Sequence, residues 1–87
     1  MDVMIAFHPY ILDVANPVEL YVLLHIVKDT SKHEALIKAR ILRQSKLSED
    51  EFDRAINTLQ IKGLIEREGN GFGFTIKDGI FSTIKPI

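Results

Sequence analysis

Apolar residues first take on a helical spacing after residue 16. Intervals of three and four positions give a helix one apolar face, formed here by Leu20, Leu23, Leu24 and Val27. The stretch Asn16-Pro17-Val18-Glu19 has the residues of a helix start. Asn caps the free amides, Pro fits the first helical position and Glu reaches back to the cap. The pattern predicts a first helix from about Pro17 to Lys28 or Asp29.

The stretch from Ser31 to Ser45 admits two interpretations. Ser31-Lys32-His33-Glu34 has the spacing of a capping box, which opens one long helix that ends at Ser45. Alternatively, Ala35-Leu36-Ile37 is a short strand, and a second helix then runs from about Lys38 to Ser45. Hydrophobic periodicity alone does not separate a short apolar strand from a helix segment of the same length.

A third helix is marked at both of its ends. Ser48-Glu49-Asp50-Glu51 is the clearest capping box in the chain, and its acids suit the positive end of the helix dipole. The inward stripe of this helix is Phe52, Ala55, Ile56 and Leu59, with Ile61 near the end. Gly63 ends the helix, because glycine enters the left-handed conformation without a steric cost.

Two short runs of alternating residues follow this glycine. The runs are Leu64 to Glu68 and Phe72 to Lys77, and we predict that they form an antiparallel hairpin. Gly69-Asn70-Gly71 lies between them, and Asn-Gly is a favourable pair for a tight turn. Lys77-Asp78-Gly79 then turns the chain once more.

Both ends of the chain are too apolar for free tails. Residues 1–15 are mostly apolar, and the last apolar residues are Ile80, Phe81, Ile84 and Ile87. We expect the N-terminal stretch to be a short helix or strand that lies on the core or on a partner. Exposed apolar segments of this size mark interfaces, so we expect a homodimer built from the termini. The alternative is that both ends pack on their own core.

Length and composition define one globular domain, residues 1–87. A chain of 87 residues is too short for a second hydrophobic core. Its residues are 46% hydrophobic and 26% charged, which is the composition of a globular protein rather than a disordered one. The chain has no cysteine, which excludes disulfides and thiolate metal sites. The apolar run from Val3 to Val14 is too short to span a bilayer, so we expect a cytoplasmic protein without membrane contact.

Residues with catalytic or metal-binding chemistry follow no recognised spacing. His8, His25 and His33 do not stand at metal-ligand intervals. The glycines at 69, 71 and 73 belong to the predicted hairpin and do not connect a strand to a helix, so no phosphate cradle is expected. The acids of residues 49–53 start an exposed helix rather than line a cleft. The sequence therefore predicts no enzyme, no metal and no cofactor.

Charge is unevenly distributed along the chain, although the formal net charge is only -1. Residues 32–46 contain five basic side chains and one acidic side chain, whereas residues 49–53 contain four acids. A DNA-binding domain is usually basic on one face. Here only the region before the third predicted helix is clearly basic.

Three motifs carry a resemblance to a known superfamily. They are Leu47-Ser48 at the turn, Leu59 followed by Lys62-Gly63-Leu64-Ile65-Glu66-Arg67, and Thr75-x-Lys77-x-Gly79 after the hairpin. Together they make residues 17–79 similar to the winged helix-turn-helix superfamily. The pattern resembles small bacterial, archaeal or viral transcription regulators, among them repressors of the multiple-antibiotic-resistance and phage types. These motifs report the fold before they report DNA binding.

The resemblance implies an α+β fold with three helices and a small antiparallel sheet, whose hairpin is the wing. Members place a short strand between their first two helices, so we favour the strand at residues 35–37. Ile41-Leu42 then takes the position of the buried pair in the second helix. The expected core is Leu20, Leu24, Ile41, Phe52, Ile56, Leu59 and Ile65.

The resemblance also implies a function. In this superfamily the third helix enters the major groove, while the second helix and the wing contact the DNA backbone. Carried over by position, the base contacts are Arg54, Asn57 and Thr58. The expected phosphate and wing contacts are Lys38, Arg40, Arg43, Lys46, Ser48, Arg67 and Asn70. The implied function is sequence-specific binding of double-stranded DNA as a small transcription regulator. The alternative is a protein-interaction module without DNA contact, whose acidic third-helix start faces a basic partner.

Overall fold

A computed structural model of the chain describes residues 4–29, 31–68 and 73–84. Within these ranges the fold is α+β, with four helices and two antiparallel sheets of two strands each. The elements in chain order are β1 (Met4–Phe7), α1 (Pro9–Val14), α2 (Pro17–Lys28), α3 (Glu34–Gln44), α4 (Glu49–Ile61), β2 (Ile65–Arg67), β3 (Phe74–Ile76) and β4 (Phe81–Ile84). The three expected helices correspond to α2, α3 and α4, and the short helix α1 is a fourth.

Helix α2 begins where the sequence predicts. The Asn16 side chain accepts a hydrogen bond from the Glu19 amide at 2.8 Å, and the Glu19 carboxylate accepts one from the Asn16 amide at 3.3 Å. The buried face is rotated from the expected one, because α2 packs against both α3 and α4. Leu20 and Leu24, expected in the core, are only partly buried, and the fully buried positions of α2 are Val22, Leu23 and Ile26.

Helix α3 begins at Glu34, so the strand expected at residues 35–37 is wrong and the longer helix is correct. The spacing of Ile37 and Ile41, both fully buried, fits one helical face, whereas Leu36, just before Ile37, is 59% exposed. The expected capping box is absent: His33 occupies the N-cap position without a capping side-chain bond. An isolated antiparallel β-bridge pairs His33 with Gly73 just before the helix. It lies close to the position of the expected strand, residues 35–37.

Helix α4 has the predicted start, apolar face and end. The Ser48 hydroxyl accepts from the Glu51 amide, and the Glu51 carboxylate accepts from the Ser48 amide, both at 3.1 Å. All members of the expected stripe are buried: Phe52, Ala55, Ile56 and Leu59. Gly63 has a φ of 74°, which favours glycine there. Ile61 is the exception, because its side chain is 85% exposed and points away from the core.

The hairpin pairs β2 with β3 in the expected antiparallel sense. Ile65 lies opposite Ile76 and Arg67 lies opposite Phe74. Ile65 and Phe74 are buried, so one face of the hairpin closes the core beneath α4. The predicted tip, Gly69-Asn70-Gly71, lies outside the described residues, as does Phe72.

The two apolar ends of the chain pair with each other. Strands β1 and β4 are antiparallel, with Phe7 opposite Phe81. Ile11 of α1 and Ile80 before β4 are fully buried in the core, which agrees with the alternative in which the ends pack on their own chain. Helix α1 nevertheless exposes three apolar side chains: Tyr10 and Val14 on one side, and Leu12 on the opposite side.

Candidate nucleic-acid interface

The turn between α3 and α4 is short and held by its own hydrogen bonds. The Ser45 hydroxyl donates to the Ile41 carbonyl at 2.7 Å and accepts from the Leu47 amide at 3.2 Å. Leu47 packs against the core, and Ser48 then caps α4. The orientation of α4 relative to α3 is therefore fixed by both packing and backbone contacts.

The outward face of α4 carries two of the predicted base contacts. Asp50, Arg54, Asn57 and Ile61 are exposed, and their spacing of three and four residues puts them on one side of the helix. Thr58 is half-buried, at the edge of this face. A groove of about 240 Å³ runs from this edge to the start of α2, lined by Asn16, Val18, Glu19, Glu51, Arg54, Ala55 and Thr58.

Lys38 of α3 bridges two acids of α4. Its ammonium lies 2.8 Å from a Glu49 oxygen and 3.2 Å from an Asp53 oxygen. It also lies 5.7 Å from the centroid of the Phe52 ring. The hydrogen bond to Glu49, and then that to Asp53, raise the pKa of Lys38 against the opposing effect of desolvation. This expected phosphate contact is thus bound within the protein, where its one positive charge is shared by two of the four acids at the start of α4.

Arg40 fastens α3 to the end of α2. Its guanidinium donates to an Asp29 oxygen at 3.0 Å and to the His25 carbonyl at 3.2 Å. The Asp29 carboxylate also accepts from the Ser31 hydroxyl at 2.5 Å and from the Ser31 and Lys32 amides. The Ser31 hydrogen bond is the main reason that the pKa of Asp29 is lowered, and Arg40 adds to it. Arg40 therefore has a structural partner rather than a free charge.

Arg67 is likewise paired. Its guanidinium makes two bonds to the Glu34 carboxylate, at 2.9 and 3.1 Å, and so ties β2 to the first turn of α3. Arg43 and Lys46 differ from it, because both are exposed. Neither side chain makes a hydrogen bond or an ion pair with any residue that the structure describes. Asn70 lies outside the described residues.

A buried carboxylate near this surface was missed by sequence reasoning. Glu19 is 5% exposed, and one of its oxygens lies 2.6 Å from the Lys62 ammonium. The Asn16 side-chain amide donates to the other oxygen at 2.8 Å, and Lys62 also donates to the Val14 carbonyl. The capping box at Asn16 signals the first role of Glu19. No local signal announces the ion pair, because Lys62 is 43 positions away.

No family model, curated protein or solved structure matches this chain, and its function is therefore inferred from its own residues. Over the described ranges, no three His, Asp or Glu side chains gather closely enough to hold a metal ion. In the same ranges, no helix is both long and apolar enough to cross a membrane.

Proposed function

We propose that this protein is a winged helix-turn-helix domain that binds double-stranded DNA in a sequence-specific manner, as a small transcription regulator. The order of α3, a four-residue turn, α4 and the β2–β3 hairpin supports this architecture. The bridge between His33 and Gly73 stands where such domains add a third strand to the wing sheet. In this proposal α4 enters the major groove.

The observation that carries the proposal is the exposed outward face of α4. Arg54 and Asn57 stand there without an ion pair or hydrogen bond to any described residue. Arginine pairs with the acceptor edge of guanine, and asparagine pairs with adenine. Thr58, at the edge of the face, is placed for a further base or sugar contact.

The acidic side chains at the start of α4 repel DNA phosphates less strongly than their number suggests. Glu49 and Asp53 share Lys38, and the Glu51 carboxylate caps the Ser48 amide. Asp50 is the one acid of this group without a partner among the described residues. The net repulsion between the helix start and a phosphate backbone is reduced accordingly.

Fewer than five of the expected basic residues are then available to contact phosphate, because some of them form ion pairs within the protein. Arg43 and Lys46 are available as they stand, and Ser48 is exposed beside them. The Arg67–Glu34 pair lies near the surface, where ion pairs contribute little, so Arg67 can exchange its carboxylate for a phosphate. Lys38 and Arg40 hold the helices in place.

The proposal is tested by fluorescence anisotropy with mixed genomic duplex DNA over a series of salt concentrations. Phosphate contacts release counterions, so log affinity should fall linearly with log salt. Lys46→Ala should weaken binding to all sequences and reduce that slope by about one. Lys28→Ala, an exposed lysine at the far end of α2, is the matched control and should leave the slope unchanged.

Base reading is tested separately with duplexes selected from a random pool. Arg54→Ala should reduce the preference for one base at one position of the DNA site, by about 1–3 kcal/mol of binding free energy. Binding to other sequences should persist. An Arg54→Ala variant with the wild-type preference would remove this residue from the reading face. Absence of any duplex binding at low salt and near micromolar protein would overturn the DNA proposal as a whole.

A protein-interaction module is the second candidate, and a specific observation favours it. Lys38, Arg40 and Arg67, three of the five expected phosphate contacts, are bound in internal ion pairs. Asp50 and Glu49, both exposed, then form an acidic start of α4 for a basic protein surface. The salt series decides between the two, since this candidate predicts no duplex binding. We propose a cytoplasmic location together with the DNA-binding function.

A further inference from the structure

Within the described residues, no further strand pairs with either edge of the sheet formed by β1 and β4. Over the described residues it contains only these two strands, and two strands alone are marginal in water. An edge strand presents unpaired amide and carbonyl groups, which pair readily with another strand. The side chains of β1 add no protection, because Met4–Phe7 contains neither a charged residue nor proline.

The hydrogen-bond pattern shows which groups face the open edge of β1. Phe7 lies opposite Phe81, and one position further the His8 amide donates to the Ile80 carbonyl at 3.0 Å. In an antiparallel pair, bonded and non-bonded positions alternate. Ala6 is therefore bonded to β4, as His8 is to Ile80, whereas the amides and carbonyls of Ile5 and Phe7 point to the opposite side.

We propose that β1 pairs with β1 of a second copy of the chain, which gives a continuous four-stranded antiparallel sheet across a twofold axis. The axis passes beside Ala6, which then faces the partner's Ala6 in a close, non-bonded position that suits a small side chain. Ile5 lies opposite the partner's Phe7, and Phe7 opposite the partner's Ile5. This register uses all four outward groups of each strand.

The helix after β1 supplies apolar area to the same interface. Only His8 separates β1 from α1, which exposes Leu12 at 58% on one side and Tyr10 at 43% and Val14 at 44% on the opposite side. In this proposal the side that carries Leu12 lies at the interface. Isologous contacts of this kind bury the same patch on both copies. A second copy is favoured over an unrelated strand because the uncharged edge is complementary to itself.

The edge of β4 is the less suitable of the two. Its exposed side chains are the hydroxyls of Ser82 and Thr83. Lys85 and Pro86 follow it directly in the sequence, and lysine and proline are residues that protect edge strands. The corresponding residues around β1, Asp2 and Pro9, are each separated from the strand by one residue. The assignment to β1 does not rest on DNA binding, and it holds equally for either proposed function.

Light scattering on the full chain tests the dimer, with a closely matched pair of variants. At high micromolar concentration the wild-type mass should be twice the chain mass of 9.9 kDa. Leu12→Asp should reduce it twofold to one chain, whereas Leu36→Asp should leave it unchanged. Leu12 and Leu36 are 58% and 59% exposed on α1 and α3, so the two substitutions perturb the folded chain similarly. A monomeric wild type, or equal behaviour of the two variants, would overturn the proposal.

Amide hydrogen exchange tests the strand pairing itself. The amides of Ile5 and Phe7 should be protected at high protein concentration and exchange rapidly once the dimer is diluted apart. The Ala6 amide, bonded within the chain, should be protected at both concentrations and is the internal control. Rapid exchange of Ile5 and Phe7 at both concentrations would exclude edge pairing even if the protein is a dimer.

Discussion

Lys38 shows how one side chain changes the meaning of a charge pattern. In the sequence it belongs to a basic stretch that suits phosphate, and Glu49 and Asp53 belong to an acidic one that repels it. In the structure the Lys38 ammonium bridges both carboxylates across α3 and α4 and compensates one of their two negative charges. The residue that the pattern assigns to DNA instead links α3 to the start of the proposed reading helix.

Removing the two acids should therefore strengthen DNA binding. In Glu49→Gln combined with Asp53→Asn, two repulsive charges disappear and Lys38 is released for phosphate. We expect tighter binding and a slope of log affinity against log salt that is steeper by about one. Asp13→Asn, an exposed acid on α1, is the control. Unchanged affinity in the double variant would argue against a DNA-facing start of α4.

The Asp29 carboxylate makes stability depend on pH in a defined direction. Its hydrogen bond from the Ser31 hydroxyl, with smaller contributions including Arg40, lowers its pKa in the folded state. This contribution to stability is complete above the pKa of the unfolded chain and is lost as pH falls through the folded pKa. Asp29→Asn should melt below the wild type at neutral pH, and the difference should shrink in acid. A difference that is constant with pH would show that the charge is not the cause.

At the scale of the element, α4 is determined by signals within its own length. The capping box fixes its start, the stripe fixes its buried face, and Gly63 ends it. Because each signal lies within a few residues of its effect, the sequence alone locates this helix. Ile61 deviates because it lies on the opposite side from Leu59, although both are apolar.

Two substitutions on α4 separate burial from apolar character. Leu59 is fully buried and Ile61 is 85% exposed, only two positions apart on one helix. Leu59→Asp should unfold the domain, because a buried and unpaired charge costs several kcal/mol. Ile61→Asp should leave the thermal midpoint nearly unchanged. A Leu59→Asp variant that melts like the wild type would refute the assigned helix register.

At the scale of the whole molecule, the Glu19–Lys62 pair joins three helices. Lys62 follows α4, Glu19 lies in the first turn of α2, and the Val14 carbonyl ends α1. The contact holds the N-terminal segment beside the end of the proposed reading helix. The ion pair therefore links the packing of the N-terminal segment to the position of α4.

Breaking this pair should destabilise the domain measurably. Lys62→Met leaves the Glu19 carboxylate, which is 5% exposed, with only its bonds to Asn16, and we expect a loss of about 1–3 kcal/mol in urea unfolding. Adding Glu19→Gln should recover part of the loss, since no buried charge remains. Lys28→Met is the control, because Lys28 is exposed and lacks a salt bridge within the described ranges. A loss equal to that of Lys28→Met would show that the pair contributes nothing.

The sequence by itself determined the parts of this protein whose causes are local. Capping boxes located α2 and α4, and alternation located the hairpin. Five of the seven predicted core residues are buried: Ile41, Phe52, Ile56, Leu59 and Ile65. These assignments succeed because caps, turns and periodic faces act over one or two helical turns.

Only the tertiary structure decided the features that join distant residues. The α2 sequence is apolar over a wide arc, so packing against α3 and α4 chose the face that includes Val22 and Ile26 over one that includes Leu24. The pairing of β1 with β4 joins opposite ends of the chain, and no local pattern encodes its register. Which basic residues remain available to a partner is likewise settled in space. Lys38 and Arg67 meet acids 15 and 33 positions away, and a charge is neutralised by its nearest neighbour in the fold.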